Sequence, residues 1–189
     1  MLKLVTGPTV EPVSLTEAKL HLRVDGTDDD TVISALIVAA REAVEHIARR
    51  ALISQTWELI LDSWPDSPFE VPLPPLSSVT SIKYKDEDGV EATFSSSSYV
   101  VDADSQPGRV ALASEASWPG GTLYPVGGVR VRFVAGYGSA ATAVPQRYKQ
   151  AILLLVGHWY EHREEASEGR GLTQVPFGVE ALLWMDRAF

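Results

Sequence analysis

The sequence predicts an α+β fold, in which a small helical bundle of three to four helices carries a large inserted β-hairpin or β-sheet segment. Apolar residues recur at three- and four-residue spacing in 14–52 and again in 144–189, which is typical of amphipathic helices. Between them, residues 53–138 alternate with a period of two and are interrupted by prolines and glycines, which is typical of short strands. We expect a single domain, 1–189, whose helical ends pack together around the insertion.

The composition indicates a globular, soluble protein made inside the cell. It is 45% apolar and 22% charged, which excludes intrinsic disorder, and the absence of cysteine excludes disulfides and thiolate metal sites. The formal net charge of −9 argues against tight DNA binding, which requires clustered Lys and Arg. No apolar run is long enough for a signal peptide or for the roughly 20 residues that span a bilayer. We expect neither a cofactor nor a membrane partner.

Two helices are predicted after an extended lead-in over residues 1–13. Ser14 and Glu17 have the spacing of a capping box, which starts a short helix that ends at the Asp25-Gly26 turn. The second helix covers 28–52, with Thr27 or Asp28 as its cap. Its apolar stripe consists of Val32, Ile33, Leu36, Ile37, Ala40, Val44, Ile47 and Ala48, and leaves Arg41, Glu42, Glu45 and His46 outside it.

Strands are predicted throughout the insertion. The clearest is 129–135, where valine and phenylalanine alternate with arginine, so that one face is buried and the other is wet. The proline-dense stretch 63–76 cannot form a central strand, because proline lacks the N–H donor that the ladder needs. The remaining predicted strands are 56–62, 79–85, 90–94, 99–102 and 109–113, with 86–89 as a hairpin turn.

The helix predicted over 144–166 is the most apolar element. Pro145 suits a first helical position, and Tyr148, Ile152, Leu155, Val156 and Trp159 share one face. Residues 151–157 are apolar nearly all round, so this helix must be covered on every side. A short chain has few elements for that, which makes a neighbouring subunit a natural cover. A last short helix follows from 175 towards the C-terminus.

An alternative interpretation of this helix is a zinc hydrolase. His158, Glu161 and His162 form an H-x-x-E-H pattern, whose two histidines share one helical face while the glutamate could activate a bound water. A surface helix end explains the pattern more simply, because five residues with two free positions arise easily by chance. A third ligand would have to come from one of four glutamates, none of which stands out: Glu164, Glu165, Glu168 and Glu180.

Two acidic clusters invite a calcium interpretation, which their order does not favour. Asp25, Asp28, Asp29 and Asp30 lack the alternating ligands and the closing glutamate of an EF-hand, and helix capping explains them. The sequence Asp86–Gly89 fits a hairpin tip better than a metal loop. We therefore assign no catalytic residue and no metal site.

A succession of segments resembles the head–tail connector, or adaptor, proteins of long-tailed DNA phages and gene transfer agents. The resemblance covers residues 12–183 and rests on the order of its pieces. These are VSLTEAKLHLRVDGTDDDTVISALIVAAREAVE, RALISQTWEL, PLPPLSSVTSIKYKDEDG, YVVD, VRFVAGYG, VPQRYKQAILLLVGHWYEHRE and VPFGVEALL. Since the HWYEHRE segment carries no known enzymatic role in that family, the resemblance also disfavours zinc.

The resemblance implies a structural subunit, without enzymatic activity, of the head–tail neck in a virion or gene transfer agent particle. Such subunits are made in the host cytoplasm and assemble as a homo-oligomeric ring, usually a dodecamer, below the portal protein. The ring extends the channel through which double-stranded DNA passes without specific binding, and it offers a docking surface to the stopper or tail neck protein. The inserted β segment is large for the family, so its role does not carry over.

Two sets of contact residues follow from these arguments. We expect the subunit interface at Ile152, Leu155, Val156 and Trp159 of the apolar helix, together with Leu36 and Val44 of the second helix. In the resembling family a C-terminal segment reaches the portal, which implies Trp184, Met185 and Phe189 here. A regulatory or scaffolding oligomer unrelated to virions is the remaining alternative from a different class.

Overall fold

The computed structural model describes residues 1–162 and 177–184, and it confirms the α+β class. The helices in this part of the chain are α1 (Leu15–Leu22), α2 (Asp30–Ala48), α3 (Gln146–Glu161) and α4 (Phe177–Trp184). Its strands are β1 (Leu2–Thr6), β2 (Gln55–Leu61), β3 (Phe69–Val71), β4 (Leu76–Lys85), β5 (Glu91–Phe94), β6 (Tyr99–Asp102), β7 (Gly108–Leu112) and β8 (Val129–Ala135).

The chain divides into two compact units. The β unit consists of Met1–Pro8 and Ser54–Tyr137 and contains all eight of these strands. The helical unit consists, in its described part, of residues 9–53, 138–162 and 177–184, and contains the four helices.

The β unit is built on antiparallel pairing. A five-stranded sheet has the order β1-β2-β8-β4-β5, and a three-stranded sheet has the order β3-β7-β6. In the central strand β8, Val129, Val131, Phe133 and Ala135 are fully buried. Because side chains alternate between the faces of a strand, the intervening arginines lie on the opposite face. The predicted buried and wet faces of this strand are confirmed.

The first strand of the sheet lies inside the segment expected to be an extended lead-in. β1 pairs antiparallel with β2, and the amino group of Met1 donates a hydrogen bond of 2.7 Å to the carbonyl of Ile60. Apart from Leu76, where β4 begins, the proline-dense segment contains one strand, the three-residue β3, at an edge of the smaller sheet. That edge position agrees with the argument that proline excludes a central strand.

The predicted capping box is present at the start of α1. The hydroxyl of Ser14 accepts from the backbone N–H of Glu17 at 3.2 Å, and the Glu17 carboxylate accepts from the Ser14 N–H at 2.7 Å. Two of the four N–H groups that a helix start leaves without intrahelical acceptors are satisfied in this way. The helix ends at Arg23, whose left-handed conformation (φ 58°) turns the chain out of it.

The second helix differs from the prediction at its ends and on one face. α2 begins after Asp29, not after Thr27 or Asp28, and the Asp29 side chain makes no capping bond. Of the predicted stripe, Ile33, Ile37, Ala40, Val44 and Ala48 are buried, whereas Val32 is exposed. Arg41, which the prediction places outside the stripe, is buried because it pairs with Glu11 and Glu45.

The apolar helix is covered to a large extent by its own unit. α3 begins directly after Pro145 and packs against α1, α2 and α4. Tyr148, Ala151, Ile152, Leu155 and Val156 are buried in this way. The residues between them on the helix are half-buried. In the described part of the chain, no helix has both the length and the apolar character that crossing a membrane requires.

Candidate assembly interface

Four of the six residues expected at the subunit interface lie in the core of the helical unit. Ile152, Leu155 and Val156 on α3 and Val44 on α2 are at most 1% exposed. Their apolar character is therefore accounted for by packing within one chain, and a rigid copy of this chain would offer none of these side chains to a neighbour. Their assignment to an interface stays a prediction that the burial does not favour.

The other two expected interface residues retain exposed surface. Leu36 on α2 and Trp159 on α3 are both half-buried. Near the first half of α2, a groove of about 380 Å³ is lined largely by apolar side chains, including Val13, Ile37 and Val38. A partner that places an apolar side chain on this surface would remove it from water, which is the main driving force of association.

The residue expected to touch the portal is also exposed. Trp184 ends α4 and is 74% accessible to solvent, whereas Val179 and Leu183 of the same helix are buried. A pocket of about 120 Å³ lies beside the indole, lined by Ile47, Glu180, Leu183 and Trp184 itself. An exposed tryptophan is unusual on a monomer surface and is enriched among residues that dominate interfaces. Met185 and Phe189 lie outside the described residues.

A buried ion cluster on α2 was not predicted. The guanidinium of Arg41, 5% exposed, donates to Glu11 at 2.8 Å and to Glu45 at 2.7 Å. Burial lowers the pKa of Arg41, but the charges and hydrogen bonds of Glu45 and Glu11 outweigh it and raise the pKa above its ordinary value. Glu45 also accepts the backbone N–H of Leu52 at 2.8 Å. The cluster therefore fixes the segments before and after α2 to the helix.

The signal for this cluster was present in the sequence but ambiguous. Arg41 and Glu45 have the i, i+4 spacing of an ion pair, which a solvated helix face also shows. The third partner, Glu11, lies thirty residues away in the chain and could not be inferred from local spacing.

The H-x-x-E-H residues form the end of a helix. α3 ends at Glu161, and His162 lies beyond it with its Nδ1 2.9 Å from the carbonyl oxygen of His158. The two imidazole rings are 4.7 Å apart. Among the described residues, no group of three or more His, Asp or Glu side chains is placed to hold a metal ion. Of the possible third ligands, only Glu180 lies in that part of the chain.

The two acidic clusters have structural partners. Asp30 pairs with Lys19 at 2.6 Å, and Asp29 accepts a short hydrogen bond from the hydroxyl of Tyr160. In the hairpin between β4 and β5, the carboxylate of Asp86 accepts the N–H groups of Asp88 and Val90. Gly89 has a φ of 81°, as a tight turn requires. The hairpin-tip prediction is confirmed.

The exposed apolar side chains of the helical unit are typical of the class of proteins that assemble with partners. The helical unit combines a covered α3 with exposed apolar side chains at Trp184, Leu20, Val32 and Val38. Val38 also lines the apolar groove beside α2, which is the kind of surface that binds a partner.

The sequence matches the head completion protein family over residues 12–177, and the chain belongs to that family. The predicted head–tail connector resemblance is thereby confirmed at the level of the family. A comparison with curated protein sequences finds no match.

Solved structures extend the likeness to the whole chain. The fold is similar to a chain in the neck of an empty gene transfer agent (GTA) particle computed with C6 symmetry, with a TM-score of 0.81 and 28% identity. It is also similar to chains in the virion of a native GTA particle (TM-score 0.79, 29% identity) and in a native neck computed with C12 symmetry (0.79, 27%). Each match covers 100% of this chain and 96% of the other.

Proposed function

We propose that the protein is a structural head–tail connector subunit that acts as one domain in the neck of a phage-like or gene transfer agent particle. In this role it forms a ring below the portal protein, extends the DNA channel and offers a docking surface to the stopper or tail neck protein. The observation that carries the proposal is the full-length structural match to two GTA neck chains at 27–28% identity, and to a GTA virion chain at 29%. The family match over residues 12–177 supports it independently.

We propose twelve copies in the ring. Support comes from the C12 symmetry used for one of the similar necks, which is consistent with the C6 symmetry used for another, since six divides twelve. A closed ring needs two different surfaces on each subunit, because every contact joins one face to a different face of the next copy. The apolar groove beside α2 and the exposed side chains of the helical unit supply surface for one of them.

The role does not need an active site. The family is structural, and His158 and His162 are accounted for by the end of α3. The formal net charge of −9 suits a channel component that DNA passes without adhering, because like charges repel. We therefore propose a non-enzymatic protein that binds DNA neither tightly nor specifically.

The portal contact is proposed for Trp184 and the residues after it. The indole is largely exposed although the same helix buries Val179 and Leu183. Removing everything from residue 179 onwards would therefore delete core residues as well as the contact. Two variants remove the contact and leave the core residues in place. The first is Trp184→Ala, and the second combines Trp184→Ala with a stop after residue 184.

The test is incorporation of these variants into particles, measured as the amount of chain that copurifies with portal-bearing heads. We expect both variants to fold with the wild-type circular dichroism spectrum and to lose at least about tenfold in head binding, since an interface tryptophan contributes 2 kcal/mol or more. Val126→Ala is the matched control, because Val126 is a similarly exposed apolar residue that lies in the β unit, outside the surfaces proposed for contact. Wild-type head binding by both C-terminal variants would contradict the assignment.

A further inference from the structure

One face of the five-stranded sheet has a charge opposite to that of the whole chain. In the antiparallel register, alternate residues of the five strands share this face, which lies opposite the buried Val131 and Phe133. We call it the basic face. Its charged side chains are Lys3, Glu58, Lys83, Lys85, Glu91, Arg130 and Arg132.

Five of these side chains are cationic and two are anionic, in a protein whose formal net charge is −9. Part of the positive charge is neutralised within the sheet. Glu58, 5% exposed, lies 2.9 Å from a guanidinium nitrogen of Arg132 and 3.4 Å from one of Arg130. Lys83 pairs with Glu91 at 2.7 Å. The two carboxylates cannot balance five cations, so the face remains net positive.

The arrangement of the cations destabilises the sheet when no partner covers the basic face. Arg130 and Lys83 are directly opposite each other on neighbouring strands, where like charges are destabilising. The Nε–H of Arg130 is buried and has no hydrogen-bond acceptor among the described residues. An anionic group placed on the face offsets the repulsion between the two cations.

The anion that fits is a set of separate carboxylates rather than a nucleic acid backbone. Duplex DNA carries a charge every 1.7 Å or so along its axis, and a continuous row of phosphates on this face would meet the exposed Glu91. Separate carboxylate side chains can avoid Glu91 and contact the cations alone. The basic face is therefore suited to an acidic protein surface.

A second copy of the chain carries such a surface. Four aspartates occur within residues 25–30, and Asp25 and Asp28 are exposed. In a ring, each subunit presents one face to a different face of its neighbour, so that a basic and an acidic surface on the same chain can meet at every contact. Complementary charges of this kind set orientation and suppress wrong partners.

We propose that the basic face receives Asp25 and Asp28 from the next copy in the ring. This proposal rests on the ring proposed above. The inserted β segment then supplies the basic half of the subunit contact. The contact is directional, because the basic and acidic surfaces differ.

The test reverses the charge of each surface in the full-length chain and measures its incorporation into particle necks. One variant is Lys83→Glu with Lys85→Glu, a second is Asp25→Lys with Asp28→Lys, and a third combines all four changes. We expect each reversal alone to lower neck occupancy about tenfold, because like charges then meet at every contact. The combined variant restores complementarity and should return to within about threefold of wild type.

A control separates local from overall charge. Arg147→Glu with Lys149→Glu makes the same change in net charge on α3. Retained incorporation of this control supports the proposal, and a loss as large as that of the sheet variant overturns it. Failure of the combined variant to recover also overturns it when the variant folds.

Two results distinguish failure of this inference from failure of the proposed function. Absence of the wild-type chain from purified necks would overturn both. Full neck occupancy by the charge-reversed variants would overturn this inference alone.

Cross-linking provides a second measurement that needs no charge reversal. Because the chain contains no cysteine, thiols introduced by Lys85→Cys and Asp28→Cys are the only ones present. In particles, a short bis-maleimide should link the double variant into a ladder of dimers and higher species, while either single variant gives no ladder. A double variant that enters necks but stays monomeric on a denaturing gel overturns the proposal.

The nucleic acid alternative is tested with the same variants. Wild-type chain mixed with fluorescent duplex DNA should show no change in anisotropy at 150 mM salt. Binding that is lost in the Lys83→Glu, Lys85→Glu variant would identify phosphate as the occupant and overturn the proposal.

Discussion

The helical unit and the β unit present different kinds of surface to a partner. The helical unit exposes apolar side chains such as Leu20, Val38 and Trp184, whereas the sheet exposes ordered rows of charge around Arg130 and Lys83. Apolar contacts supply most of the affinity of an interface, and charged contacts supply more of its specificity and orientation. A subunit with both can bind its neighbours and select the direction in which they are joined.

Each unit also holds a buried charge. The helical unit buries Arg41 between carboxylates, and the sheet buries Glu58 beneath two more exposed arginines. A buried charge that loses its partners is costly, because water cannot replace them. Removing the central charge of the Arg41 cluster is therefore expected to have a large effect.

The largest expected effect is in the helical unit. Arg41→Ala leaves Glu45 and Glu11 without their buried cation, so we expect the free energy of unfolding to fall by about 3–5 kcal/mol. Urea denaturation followed by far-ultraviolet circular dichroism, which reports on the helices, measures it. The control is Glu42→Gln, because Glu42 is largely exposed and lies 3.4 Å from Arg41. A loss below about 1 kcal/mol for Arg41→Ala would show that the cluster is not a stabilising feature.

A smaller effect is expected in the β unit from steric overlap. A Cβ at Gly108 on β7 would lie 2.5 Å from the Cβ of Leu76 on β4, which is buried. We therefore expect Gly108→Ala to destabilise by about 1–3 kcal/mol. Gly120→Ala is the matched control, since nothing lies within 4 Å of its Cβ, and it should change stability by less than about 0.5 kcal/mol. Equal values for the two variants in urea melts would contradict the packing argument.

The smallest effect is expected at the capping box of α1. Ser14→Ala should cost about 1 kcal/mol, and Thr16→Ala, an exposed change in the same turn, should cost less. Hydrogen bonds from the backbone and the hydroxyl of Ser14 lower the pKa of Glu17 below its ordinary 4.5. The stability from these bonds is present above pH 4.5 and is lost as the pH falls through the lower folded value. The difference between wild type and Ser14→Ala should therefore shrink in acid, and a difference that grows instead would contradict this.

Local patterns predicted most of the elements. Alternation identified β8 at its observed bounds, and the Ser14–Glu17 spacing identified the start of α1. β1 was missed because its partner β2 lies more than fifty residues away, and nothing in five residues reports a distant partner. The burial of Arg41 was missed for the same reason. Its ion pair with Glu11, which is distant in the chain, outweighs the ordinary preference of arginine for solvent.

The candidate interface shows where a pattern stops being informative. An all-round apolar helix indicates that something covers it, but periodicity does not say whether the cover is the same chain or another copy. In α3 the cover is supplied largely by α1, α2 and α4, which account for Ile152 and Leu155. The exposed Trp184 and the charged face of the sheet then become the better candidates for contact, and the second of these was readable only from strand register.

The most direct test of the central claim is a reconstruction of the neck in particles that contain this chain, with an epitope tag inserted after Gly120, which has open space around it, and antibody labelling. We expect a ring of identical copies between head and tail, each copy fitting both the sheet and the helices, with the antibody label in the plane of that ring. A well-resolved neck that contains no such fold, in particles whose label lies elsewhere or is absent, would contradict it.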